Sequence, residues 1–124
     1  FLTPLVIAGI DIFHCSQRRF WEPEFEKSHL NLAGWVKKIS SKPTITVGSI
    51  GLDADFISNP DQRGFSEADP ASLNELLTRL DNDEFDLIAV GRALISNPNW
   101  VKHIQNNEDQ NIKSFKKEHL RQLI

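Results

Sequence analysis

Apolar residues along this chain gather into short blocks, and three of the blocks have the character of strands. Ile10, Ile12, Phe13 and Cys15 make the first, interrupted by Asp11 and closed by Ser16 and Gln17. Thr44 to Ile50 make the second, rich in β-branched residues and short enough to be a buried parallel strand. Leu87 to Val90, preceded by Asp86, make the third.

Between the strand blocks the apolar spacing turns helical. Leu2, Leu5, Val6 and Ile7 followed by Gly9 read as the end of a helix with its glycine stop. Leu32, Trp35, Val36 and Ile39 recur at helical spacing after Ser28, a candidate cap, and Ser41, Lys42 and Pro43 break the run. Asp69 and Pro70 are expected at the N-cap and first position of a helix whose stripe is Leu73, Leu76, Leu77 and Leu80. That stripe lasts only two turns, so it predicts core packing and not a dimer zipper. Leu94 and Ile95, then Trp100, Val101 and Ile104 beyond Asn97-Pro98, predict two helical pieces with a break between them. The stretch from Gly51 to Pro70, containing Asn59-Pro60 and Arg63-Gly64, reads as a polar loop with one helical turn. Residues from Gln105 onward are expected to wrap the outside, anchored by Phe115, Leu120 and Leu123.

One strand followed by one helix, repeated from near residues 10, 44 and 87, predicts an α/β fold with a parallel sheet. The spacing suits an open doubly wound sheet as well as part of an eight-stranded barrel.

Composition narrows the class. The chain has 124 residues, 40% of them hydrophobic, and a formal charge of -3, which suits one ordinary domain. The mild acidity and scattered lysines leave no broad basic face, so a nucleic-acid partner is not expected. No apolar run approaches the ~20 residues that cross a bilayer, and no secretory leader is evident, so no membrane partner is expected. Cys15 stands alone and cannot form an internal disulfide, which fits a cytoplasmic location. A chain that opens on Phe1 and contains neither methionine nor tyrosine is expected to begin in mid-fold.

The candidate chemistry lies at the ends of the second and third strands. Gly48 and Ser49 follow one, Gly91 and Arg92 the other. Main-chain amides freed by the glycines, with the Arg92 guanidinium, have the chemistry to hold a phosphate. Arg18, Arg19, Phe20 and Trp21 follow the first strand at the same end, as a pocket rim or as a loop tied down by Arg-Glu pairs over an aromatic plug. His14 is expected in the core as a neutral imidazole, and Cys15 as a buried small hydrophobe. His29, His103 and His119 lack metal-ligand spacing, and Asp53 with Asp55 reads as a solvated loop, so no metal site is expected.

Taken in order, Asp11 to Ser16, Arg18 to Phe25, Leu32 to Trp35, Thr44 to Gly51 and Val90 to Pro98 resemble the C-terminal third of old yellow enzyme-type NADH:flavin oxidoreductases. The resemblance fades after about residue 104. It implies a partial TIM (β/α)8 barrel, with residues 1–124 supplying strands six to eight. It also implies that Gly48, Ser49, Gly91 and Arg92 hold the FMN phosphate, with NAD(P)H as reductant and a small-molecule substrate. The histidine pair and tyrosine of that family lie on upstream strands, so no catalytic residue is assigned here. The remainder of the barrel becomes the expected partner, and the fragment alone is expected to be inactive. Two rivals stand beside this expectation: another phosphate-binding barrel enzyme, and a non-catalytic fragment that self-associates through open sheet edges.

Overall fold

A computed structural model of the chain describes residues 1–57 and 66–122. The expectations placed on Asn59-Pro60, Arg63-Gly64 and Leu123 lie outside the described residues. The chain divides into two compact units, Phe1–Gly48 with Leu73–Ala89, and Ser49–Ser72 with Val90–Ile124.

The first unit holds an α/β sheet. Its strands are β1 (Phe13–Ser16), β2 (Thr44–Val47) and β3 (Leu87–Ile88), parallel throughout and in the spatial order β1-β2-β3. Spatial order follows chain order, so successive strands are joined by crossovers that carry helices, as the strand-helix alternation predicts. The helices are α1 (Leu2–Ile7), α2 (Leu32–Ser40) and α3 (Asn74–Asp81). Each strand is shorter than its apolar block, β1 at its start and β2 and β3 at their ends. β1 begins at Phe13 instead of Ile10, and Gly48 ends β2 three residues before the block runs out.

Registry sorts the strand side chains into two faces. Cys15 pairs with Thr46 on one face, and this row, with Thr44, is buried where α2 packs on β1 and β2. His14 pairs with Ile45 and Ser16 with Val47 on the other face, and Leu87 continues the row. No element of this unit covers that second face: His14 and Ser16 are exposed and Leu87 is 52% accessible. The expectation of a core histidine is therefore corrected. Alternation with period two sends Cys15 inward and His14 outward, and a single apolar block cannot say which member of the pair goes in.

Two expected helix starts are also corrected. Asn31, not Ser28, caps α2, its side chain accepting the Gly34 amide at 2.9 Å, while Ser28 Oγ accepts the Leu30 amide inside the preceding loop. Asp69 and Pro70 do not start a helix. Pro70 bridges to Leu52 and the Ala71 amide donates to the Gly51 carbonyl, so α3 begins only at Asn74, and of its leucines only Leu76 is fully buried.

The second unit contains α4 (Arg92–Ser96) and α5 (Trp100–Gln105), broken at Asn97-Pro98 as the sequence predicts, and two 3-10 turns at Asp109–Asn111 and Lys117–Arg121. Asn97 is buried and turns the break into an anchor. Its Nδ2 donates to the Ala93 and Lys113 carbonyls and its Oδ1 accepts the Lys113 amide. Phe115 is fully buried and pairs with Ala68 through two main-chain hydrogen bonds, while Leu120 is left exposed. No helix among the described residues is long and apolar enough to cross a membrane.

Candidate functional site

In the second unit, Ser49, Ile50 and Gly51 turn the chain sharply after β2. Ser49 and Gly51 both take left-handed φ, at 51° and 68°. Gly51 is required there, because a Cβ would stand 2.9 Å from the Trp100 ring. Among the described residues, nothing accepts from the N–H of Ile50 or of Gly51, and both residues are buried. Left-handed residues beside successive main-chain amides are the backbone conformations from which anion-binding concavities are built.

Arg92 belongs to the same unit and is tied to the same turn. Its Nη2 donates to Ser49 Oγ at 3.3 Å and to the Ala54 carbonyl at 2.6 Å, and its Nη1 donates to the Asp55 and Ser66 carbonyls, both at 3.1 Å. The guanidinium carbon lies 5.6 Å from the centre of the Phe115 ring. Burial pulls its pKa below the ordinary value while the Asp55 and Asp53 carboxylates oppose that shift, so the cation persists. Asp55 is only 1% accessible, which corrects the expectation of a solvated aspartate pair. Its Oδ1 accepts the Ile57 amide at 3.1 Å, closing a small turn beneath Arg92. Asp53 conforms to that expectation in being exposed, with Oδ1 accepting the Asp69 amide.

The sequence assigns Arg92 the task of meeting the ligand with its guanidinium, but four donor contacts bind it to its own loop. What it brings to the turn is a fixed positive charge and a restrained Ser49. Gly91 has open space where a Cβ would be, so a ligand can approach its backbone closely. A recess of this unit is lined by Asp53, Glu67, Asp69, Ser114 and Lys116, and its three carboxylates repel a phosphate.

Gly48 belongs to the first unit and does a different job. A Cβ there would meet the Gln17 carbonyl at 2.6 Å, and the Gly48 carbonyl accepts the Phe20 amide at 3.1 Å. It is the point where the loop after β1 crosses the end of β2. In that loop Arg19 pairs with Glu22 at 2.6 Å, Phe20 is 4% accessible, and Trp21 stacks edge-on against it with ring centres 5.2 Å apart. The tied-down loop of the sequence reading is thus present.

Sequence reasoning missed the residues that fasten this loop from outside it. Asn31 donates to the Phe20 carbonyl, Gln17 donates to the Glu22 carbonyl, and Arg79 of α3 reaches the Trp21 carbonyl at 3.2 Å. Polar residues at helix starts are the only local signal for the first of these. The carbonyls that Arg79 reaches, those of His29 and Trp21, lie 50 and 58 positions away. No cluster of His, Cys, Asp or Glu suited to a metal occurs among the described residues.

No family model matches the chain, and no curated protein matches it.

Proposed function

We propose that this chain is the C-terminal part of an FMN-dependent NAD(P)H oxidoreductase of the ene-reductase type, and that it supplies the phosphate end of the flavin site. The observation that carries the reading is the Ser49–Gly51 turn, where the buried Ile50 and Gly51 have main-chain N–H groups with no acceptor among the described residues and Arg92 is fastened to Ser49. A dianion answers both needs at once: it satisfies buried donors that otherwise cost free energy, and it is attracted by the cation. Ile50 and Gly51 amides would hold the phosphate, Gly91 would leave room for it, and Ser49 and Arg92 would shape and charge the seat. When bound, flavin supplies the hydride chemistry. The residues of this chain bind and orient, with Arg18 to Trp21 near the mouth of the pocket, while hydride transfer and substrate activation depend on parts of the parent outside residues 1–124.

The bare sheet face supports the barrel half of the reading. Parallel sheets are ordinarily covered on both faces, and in a closed barrel the inner face is covered by the opposite strands. His14, Ser16, Ile45, Val47 and Leu87 would then be inward residues. The same face also favours a second reading, self-association of the chain. Another phosphate-binding barrel would share the seat but not the flavin.

Fluorescence titration with FMN and with riboflavin tests the proposal. Phosphate anchoring predicts saturable quenching with FMN and a much weaker response with riboflavin. Equal responses to the two, or no response to either from the chain joined to its upstream units, would overturn it.

A further inference from the structure

Two side-chain amides bracket the loop after β1 against the first turn of α2, and both do so with the same polarity. Gln17 Oε1 accepts the Leu32 amide at 2.8 Å, and its Nε2 donates to the Glu22 carbonyl at 3.3 Å. Asn31 Oδ1 accepts the Gly34 amide at 2.9 Å, and its Nδ2 donates to the Phe20 carbonyl at 3.0 Å and to Thr46 Oγ1 at 3.1 Å. Each carboxamide therefore takes a helix N–H on its oxygen and returns an N–H to a loop carbonyl.

Capping a helix asks only for an acceptor, which Asp, Ser or Thr provides as well as Asn. The donor ends are surplus to capping, and they are what separates a carboxamide from a carboxylate. Asn31 is wholly buried, so its two N–H groups are committed to the loop and to β2 and not to water.

We propose that Gln17 and Asn31 are positioning residues that hold the Arg18–Trp21 loop preformed, so that a ligand meets a fixed rim and not a lid that must close. The rim's service to a ligand rests on the function proposed above; the bracket itself does not. Its consequence is that the donor ends, not the acceptor ends, set the order of the loop.

Gln17→Glu separates the two ends. The introduced carboxylate still accepts the Leu32 amide but sets a second oxygen against the Glu22 carbonyl. At pH 7, amide exchange at residues 18–22 is expected to rise roughly five- to tenfold, the worth of one hydrogen bond, while Trp35 to Ser40 keep their rates. Near pH 4, where a carboxyl group protonates, the introduced group regains an O–H donor. Loop protection is then expected to return toward that of the unaltered chain at the same pH. An unmoved loop at pH 7, equal loosening of loop and helix, or no recovery in acid would each overturn the bracket. Should this variant fail to fold, Asn31→Ser keeps an acceptor, drops both carboxamide N–H donors and reads the same split between loop and helix. Chemical-shift titration of the unaltered chain with inorganic phosphate separates the two claims: absence of shifts at Ile50 and Gly51 would remove the phosphate seat and leave the bracket standing.

Discussion

At Arg92 a residue chosen by its type for ligand binding turns out to be the internal support of a loop. Removing it leaves three carbonyls and a hydroxyl without their donor in a half-buried place. Arg92→Ala is accordingly expected to destabilise the second unit by about 2–4 kcal/mol, and Arg92→Lys, which restores charge but not the planar fork, by most of that. Urea denaturation of the two variants measures both, and a loss under about 0.5 kcal/mol for Arg92→Ala would contradict the geometry. The two glycines nearby divide in the same way. Gly51→Ala must bring a methyl to 2.9 Å from Trp100 at a left-handed φ and should cost about 1–3 kcal/mol, whereas Gly91→Ala meets nothing within 4 Å and should alter stability by less than about 1 kcal/mol. Residue identities marked this neighbourhood correctly, since glycine and arginine after a strand end do announce sharp backbone and fixed charge. They could not reveal that the Ala54, Asp55 and Ser66 carbonyls fold around the cation, because nothing local in a sequence encodes contacts 26 to 38 positions apart.

Among the elements, the start of the sheet depends on one aspartate. Asp86 Oδ2 accepts the Thr44 amide at 2.8 Å and Oδ1 accepts from Lys37 at 3.0 Å, so it joins the entries of β2 and β3 to α2. Burial alone would raise its pKa, but the Thr44 amide and the Lys37 cation together hold it below the ordinary carboxylate value. A carboxylate depressed in the folded state adds stability above its unfolded pKa, near 4, and loses it as pH falls through the lower folded value. Stability is therefore expected to drop as pH falls below about 4, and Asp86→Asn should flatten part of that drop. An unchanged acid profile in the variant would contradict this role. In β1, burial raises the Cys15 thiol pKa, so alkylation at neutral pH should be slow in the folded chain and fast after denaturation. Rapid labelling of the folded chain would place Cys15 on the wrong face. The elements themselves were largely legible: three parallel strands, α2, and the α4–α5 break all follow from period and punctuation. Boundaries were less so, because Asp69-Pro70 and Ser28 carry chemistry that serves loops as well as helix starts, and tertiary partners decided between the two uses.

For the molecule as a whole, the exposed face of a parallel sheet is the feature that asks for a partner. Leu87, at 52% accessible, stands on it beside Ile45 and Val47. Concentration-dependent association of the chain is expected in sedimentation, weakened by Leu87→Glu. A strictly monomeric chain whose behaviour that substitution leaves unchanged would mean that the face is tolerated in water. The α/β class with parallel strands was readable from alternation alone; closure of those strands into a barrel belongs to the proposal, since three strands in sequential order suit an open sheet as well.

The central claim concerns the seat itself, and amide-resolved titration of the chain with FMN, with inorganic phosphate as the comparison, addresses it most directly. The account predicts saturable shifts of the Ile50 and Gly51 N–H resonances with both, while the Arg92 side-chain N–H groups stay on their loop carbonyls. Shifts confined to other residues, or none at all at those two amides, would contradict it.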